Sequence, residues 1–137
     1  MYPEELVAPM KADLTGVGFE ELTTAESVDQ AFKSEDETVL LVVNSVCGCA
    51  AGNARPGVKS ALDNEKTPDK LTTVFAGVDK EATEQARKYM LPYPPSSPAI
   101  ALFKGGKLAH MLERHHIEGR PAEMIAEHLK AAFNEIC

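Results

Sequence analysis

The sequence predicts an α/β fold with a mixed central sheet. The aliphatic run Thr38–Asn44 is typical of a central strand that is buried on both faces. A second apolar run at 72–77 follows a helical segment, and this order implies parallel strands with a right-handed crossover. A third strand at 99–103 leads through the turn Lys104-Gly105-Gly106-Lys107 into a strand at 108–112, as in an antiparallel hairpin.

The remaining elements follow from apolar spacing and from capping residues. Thr24 and Asp79 are expected to cap the second and fourth helices, and Pro56 should bend the third. A short alternating stretch at 18–22 predicts an edge strand. The predicted helices are 3–14, 24–34, about 47–62, 80–90 and 121–135. The buried stripe of the last helix is expected to contain Met124, Ile125, Leu129, Ala132, Phe133 and Ile136.

Length, composition and charge limit the class of protein. With 137 residues, 44% of them hydrophobic and 26% charged, residues 1–137 are expected to form one globular domain. No apolar run is long enough to span a membrane, and the first residues lack the features of a secretory signal. The formal net charge of −7 argues against nucleic acid and against an anionic membrane surface as partners. We therefore expect a cytosolic protein.

The triplet Cys47-Gly48-Cys49 is the clearest candidate for chemistry. In a reducing cytosol, a close cysteine pair indicates a catalytic, redox-sensing or metal-binding site rather than a structural disulfide. Cys47 falls where a buried strand enters a helix, and the helix dipole there favours a thiolate. Gly48 leaves the sulfur open to a partner.

The one-residue spacing also bears on the type of reaction. A disulfide between Cys47 and Cys49 would close a short ring and is expected to depart from the preferred dihedral angle near 90°. Strained disulfides are more easily reduced. The pair is therefore better suited to oxidation, isomerisation or exchange of mixed disulfides than to strong reduction.

Two other interpretations of the cysteines remain open at the level of sequence. Two thiolates can bind zinc or copper(I), although a closed zinc site needs about four ligands. Free cysteines can also be inert core residues, as in a non-catalytic adaptor. The other potential ligands, none with spacing that matches the pair, are His110, His115, His116, His128 and Cys137.

The order of these elements resembles the thioredoxin fold. The segment from Ser97-Pro98 through the strand at 99–103 to the two-glycine turn looks like the thioredoxin segment that carries a cis-proline. The resemblance implies a three-layer α/β/α sandwich, here with an N-terminal extension. It also implies that Pro98 is cis and faces the cysteine loop, and that the backbone of Ser97 binds a substrate chain.

The string from Asn44 to Gly57 contains Cys-Gly-Cys where thioredoxin has Cys-x-x-Cys. With the opening Met1-Tyr2-Pro3, it resembles the bacilliredoxin family over essentially the whole chain. The resemblance implies removal of bacillithiol, or a similar small thiol, from mixed disulfides, with weak disulfide isomerase activity. Cys47 would attack and accept the small thiol, and Cys49 would resolve the adduct or be used only in a dithiol route. The implied partners are S-thiolated client proteins, the small thiol as co-substrate and its reductase, with no bound cofactor.

Four further residues carry expectations of their own. Arg55 could hold a substrate carboxylate or steady the thiolate, or it could equally be solvated or pack within the helix layer. His115 and His116 are expected to form a polar surface stretch. Cys137 is terminal, and we expect it not to act as the resolving cysteine.

Overall fold

A five-stranded mixed sheet forms the centre of the computed structural model, which describes residues 2–137. The strands are β1 Glu20–Glu21, β2 Thr38–Asn44, β3 Lys70–Phe75, β4 Ala99–Lys104 and β5 Lys107–Leu112. The sheet order is β1-β3-β2-β4-β5. The first three strands in that order are parallel, and β4 and β5 run antiparallel to their neighbours. The mixed sheet expected from the sequence is thus confirmed.

Helices pack on both faces of this sheet. They are α1 Glu4–Thr15, α2 Ala25–Ala31, α3 Arg55–Ala61, α4 Lys80–Tyr89, α5 Arg114–Ile117 and α6 Ala122–Ile136, and a π-helical turn at Ala50–Ala54 precedes α3. No helix among residues 2–137 is both long enough and apolar enough to cross a membrane.

The central strand β2 separates two apolar clusters. Because side chains alternate along a strand, Leu40 and Val42 pack with α1, α3 and α6, whereas Leu41 and Val43 pack with α2 and α4. Every residue of β2 is buried, which explains its uninterrupted apolar run. The result is the predicted three-layer α/β/α sandwich, in which α1 is the N-terminal extension.

The helix after the cysteines differs from the uniform one predicted. Its first part widens into the π-helical turn, and the regular α3 begins at Arg55 with Pro56 in its first turn. Proline has no N–H for a helical hydrogen bond. The expected bend therefore takes the form of a change of pitch just before Pro56.

Several boundaries also differ from those predicted. Only two residues of the 18–22 stretch pair with β3. β3 ends at Phe75 because the chain turns at Gly77, whose φ is +83°. Asp79 precedes α4 but does not cap it through its side chain; its carboxylate accepts a hydrogen bond from Lys11 at 2.9 Å.

Two differences concern the C-terminal part. Met124 is 52% exposed, so its assignment to the buried stripe of α6 is wrong. It lies about 100° around the helix from buried Ile125. The short helix α5 was not predicted. Four residues are too few for an apolar period, and the helix depends instead on reciprocal side-chain to backbone bonds between Glu113 and His116.

Candidate active site

The cysteine loop follows directly from the carboxyl end of β2. Buried Ser45 accepts a hydrogen bond from the Cys47 N–H at 3.3 Å through its hydroxyl oxygen. The Cys47 carbonyl in turn accepts hydrogen bonds from the N–H groups of Ala50 and Ala51 at 3.1 and 3.2 Å. A Cβ at Gly48 would meet no heavy atom within 4 Å, so the surface between the two sulfurs is open.

Arg55 supports this loop from the interior. Its Nη1 donates to Asn44 Oδ1 at 2.8 Å and to the Ser45 carbonyl at 3.0 Å, and its Nε donates to Asp13 Oδ2 at 3.2 Å. The residue is only 4% exposed. Neither a contact between Arg55 and a substrate carboxylate nor a solvated side chain, two of the roles expected, fits this burial. Packing within the helix layer does fit.

The two thiols have opposite pKa shifts. Burial alone would raise the pKa of Cys47, but hydrogen bonds from the Cys49 thiol, the Ser45 hydroxyl and the Ala50 backbone N–H lower it overall. Burial raises the pKa of Cys49, and its interaction with Cys47 raises it further, partly offset by Arg114. Both cysteines are free thiols and partly exposed. These directions favour Cys47 over Cys49 as the thiol that ionises first.

The loop before β4 lies across from Cys47. The Ser97–Pro98 peptide bond is cis, as expected, and Leu91–Pro92 in the same proline-rich loop is cis as well. Ser97 and Cys47 line one cleft of about 290 Å³. The structure thus brings together the cysteine loop and the proline loop, which are about fifty residues apart in the sequence.

Several residues of this cleft were not predicted from the sequence, among them Tyr2, Arg87 and Arg114. Arg114 donates from Nη1 to the Ser97 carbonyl at 3.3 Å and pairs with Glu118 through Nη2, also at 3.3 Å. No local pattern marks either arginine. Tyr2 belongs to the opening tripeptide of the family resemblance, which was the one available signal.

The other candidate ligands lie away from the sulfurs or form their own group. Glu113, His115 and His116 place one potential ligand atom each within 4.8 Å of one another. Within residues 2–137, no such group of three includes Cys47 or Cys49. Cys137 is exposed and interacts with Thr38 at the start of β2, whereas Cys47 follows its far end.

Comparison with known proteins assigns the chain to a family. The disulphide isomerase family matches residues 2–137. A bacilliredoxin of Cytophaga hutchinsonii is 64% identical over 136 residues, covering 99% of this chain and 100% of the relative. The chain belongs to the bacilliredoxin family. A second bacilliredoxin, from Halalkalibacterium halodurans, is 51% identical over 99% of this chain and 94% of its own.

Solved structures place this member of the bacilliredoxin family in the thioredoxin-like fold. A thioredoxin of Malassezia sympodialis superposes with a TM-score of 0.59 at 17% identity, covering 87% of this chain and 90% of its own. A mutant thioredoxin of Halobacterium salinarum gives a TM-score of 0.58 at 16% identity, covering 85% and 88%. At such identities the likeness establishes the fold alone. Together with the family, it makes the chain a thiol–disulfide redox protein.

Proposed function

We propose that this protein is a cytosolic oxidoreductase that removes bacillithiol, or a similar small thiol, from protein mixed disulfides. The observation that carries the proposal is that Cys47, and not Cys49, lines the cleft opposite Ser97 and its cis bond to Pro98. The directions of the two thiol pKa shifts, lowered for Cys47 and raised for Cys49, agree with it. An attacking thiol must be ionised at working pH, and a thiol that resolves later need not be. The relatives named bacilliredoxin support the choice of small thiol.

The first step is an exchange at sulfur. The Cys47 thiolate attacks the sulfur of the small thiol in the mixed disulfide. The Cys47–small-thiol disulfide forms as the old disulfide breaks, and the client cysteine leaves as a thiolate that takes a proton from water. One disulfide is exchanged for another, so no external oxidant or reductant is needed.

Two routes then regenerate Cys47. In one, Cys49 loses its proton and attacks Cys47, which releases the small thiol and leaves a Cys47–Cys49 disulfide. In the other, a second small thiol attacks the adduct and leaves as the symmetrical small-molecule disulfide, which its own reductase reduces. The short Cys47–Cys49 ring favours the second route as the main one.

Other residues of the cleft would position the substrate. Open space at Gly48 lets the mixed disulfide approach along the line of the attacked bond. Ser97 presents its backbone beside buried Pro98, on the side of the cleft facing Cys47. The same exchange run on a protein disulfide would give the weak isomerase activity.

The test uses a client protein with one cysteine carrying bacillithiol, in a Cys137→Ser background. Intact-mass measurements should show that the parent protein and Cys49→Ser free the client, and that Cys49→Ser keeps the bacillithiol mass on Cys47. Cys47→Ser should do neither. Release of the client by Cys47→Ser at the parent rate would contradict the proposal.

A further inference from the structure

Two arginines that are distant in the sequence border the clefts beside Cys47. Arg87 lies in the last turn of α4, and Arg114 opens α5. Both line the 290 Å³ cleft that contains Cys47, and both also line an adjoining cleft of about 420 Å³. With Ser97, they are the residues common to the two clefts. A molecule attached to the Cys47 sulfur and extending past Ser97 would therefore run along surfaces that both arginines line.

Arg87 has a donor without a partner. Its Nε is buried and forms no hydrogen bond with any group of residues 2–137. A buried donor attached to a charged group is costly to leave unpaired, so such groups in native proteins normally have a partner. An acceptor supplied by a ligand would satisfy it. The planar guanidinium favours a carboxylate because two parallel hydrogen bonds can form.

The hydrogen bonds of the Arg114 guanidinium are weak enough for a ligand to replace them. Its Nη1 reaches the Ser97 carbonyl at 3.3 Å, and its Nε and Nη2 reach Glu118 Oε2 at 3.4 and 3.3 Å. All three distances are long for hydrogen bonds of a charged group. The pair with Glu118 is exposed, and exposed ion pairs are weak. A ligand carboxylate can compete for this guanidinium at little cost.

The local charge contrasts with that of the whole protein. The chain carries a formal net charge of −7. Two positive side chains beside the nucleophile are therefore a local feature and not the result of a generally basic surface. Glu118 contributes the opposing charge in the larger cleft.

We propose that Arg87 and Arg114 form an anion subsite that binds a carboxylate of the small thiol while its sulfur is attacked by Cys47. The inference rests on the proposed function and deepens it, because it assigns recognition of the anionic group of the small thiol to two residues of this chain. The two arginines form no covalent bond in the exchange. They set which small thiol is accepted.

The test compares two symmetrical disulfides that contain no client protein. The reduced protein is mixed with dithiodiglycolate, which carries carboxylates, and with bis(2-hydroxyethyl) disulfide, which is neutral, and the rate constant of each exchange is measured. Arg87→Gln and Arg114→Gln should each lower the anionic-to-neutral ratio of rate constants by about tenfold, as expected for loss of a charged hydrogen bond. The rate constant for the neutral disulfide should change little.

Lys88→Gln is the matched control. Lys88 is the exposed neighbour of Arg87 on α4 and lines neither cleft, so its substitution makes the same charge change outside the subsite. The anionic-to-neutral ratio of rate constants for Lys88→Gln should stay within about twofold of the parent value, because exposed charges are screened by salt. Arg114→Gln alters a half-exposed residue, so it keeps the test valid should Arg87→Gln fail to fold.

A binding measurement separates this inference from the proposed function. Succinate is titrated into Cys47→Ser while the Arg87 Nε–H resonance is followed by NMR, and a saturable shift that Arg114→Gln weakens is expected. If succinate binds but the parent protein carries out no thiol–disulfide exchange, the proposed function is contradicted and the anion subsite is supported. An unchanged rate ratio in both arginine variants, or no shift with succinate, would overturn the subsite while client release could still proceed.

Discussion

Nη1 of Arg55 donates a 3.0 Å hydrogen bond to the carbonyl of Ser45, two residues before Cys47. The same nitrogen donates to the side chain of Asn44 at 2.8 Å. Through this one atom, α3 fixes the end of β2 and the start of the cysteine loop. The loop is thus positioned from the protein interior, which leaves the outer side of Cys47 free for a substrate.

Replacing Arg55 should therefore destabilise the fold. Arg55→Met removes a buried charged donor from the Ser45 carbonyl and leaves Asn44 Oδ1 with the Ser45 N–H, at 2.9 Å, as its remaining donor. We expect the free energy of unfolding to fall by about 3 kcal/mol. Lys59→Met is the matched control, because Lys59 also pairs with Asp13, at 2.7 Å, but is more exposed. It should cost less than about 1 kcal/mol. Equal decreases in the free energy of unfolding of the two variants, measured in urea, would show that the buried hydrogen bonds of Arg55 do not stabilise the fold.

Gly57 marks the close contact between α3 and α6. A Cβ there would lie 2.7 Å from Ile125 Cγ2 and 2.8 Å from Ile125 Cβ. We expect Gly57→Ala to lower the free energy of unfolding by about 1–3 kcal/mol, since the helices must separate. At Gly52 a Cβ would meet nothing within 4 Å, so Gly52→Ala should be neutral or stabilise by about 0.5 kcal/mol. Urea unfolding of the two variants checks this contact, and Gly57→Ala should unfold at the lower urea concentration. A midpoint of unfolding for Gly57→Ala at or above that of Gly52→Ala would contradict the close contact between α3 and α6.

Ser45 contributes to the ionisation of Cys47. Its hydroxyl is one of the groups that lower the pKa of the Cys47 thiol, so Ser45→Ala should raise that pKa. Because only the thiolate attacks, the exchange rate increases as pH rises through this pKa and then levels off. In Ser45→Ala the increase should move to higher pH, whereas the exposed Ser60→Ala should leave it in place. A pH–rate profile of the neutral-disulfide exchange measures both.

Cys137 should be dispensable for exchange. It lies beside Thr38, and β2, which separates Thr38 from the cysteine loop, spans about 20 Å at the usual rise per residue. Cys137→Ser should therefore release the small thiol from the client at the parent rate. A slow second phase that appears only in Cys137→Ser would indicate that this thiol resolves the adduct after all.

The sequence carried enough information for the sheet and for the two loops that meet at the cleft. The apolar run of β2 predicts a buried strand, and the glycines at 105 and 106, with φ of +61° and +78°, predict a tight turn. Each of these features is encoded within a few consecutive residues. The cleft residues Arg87 and Arg114 are different, because each looks like an ordinary surface arginine until α4 and α5 converge on Ser97. The shared position of these two arginines beside Ser97 depends on tertiary packing, which cannot be predicted from a short stretch of sequence.

The role of Arg55 could not be decided from sequence for the same reason. From sequence, an arginine two turns after a reactive cysteine is equally compatible with a substrate contact and with helix packing. Its side chain turns inward because Asp13 on α1 and Asn44 on β2 offer acceptors there. Neither partner is close to it in the sequence.

The most direct test of the account is the order in which the two active-site cysteines react. In Cys137→Ser, limited alkylation with iodoacetamide across a series of pH values, followed by peptide mass spectrometry, gives a pH profile for Cys47 and for Cys49. We expect Cys47 to be alkylated before Cys49, and we expect the alkylation of Cys47 to reach its half-maximal rate at the lower pH. Faster alkylation of Cys49, or coincident profiles, would contradict the assignment of Cys47 as the attacking thiolate.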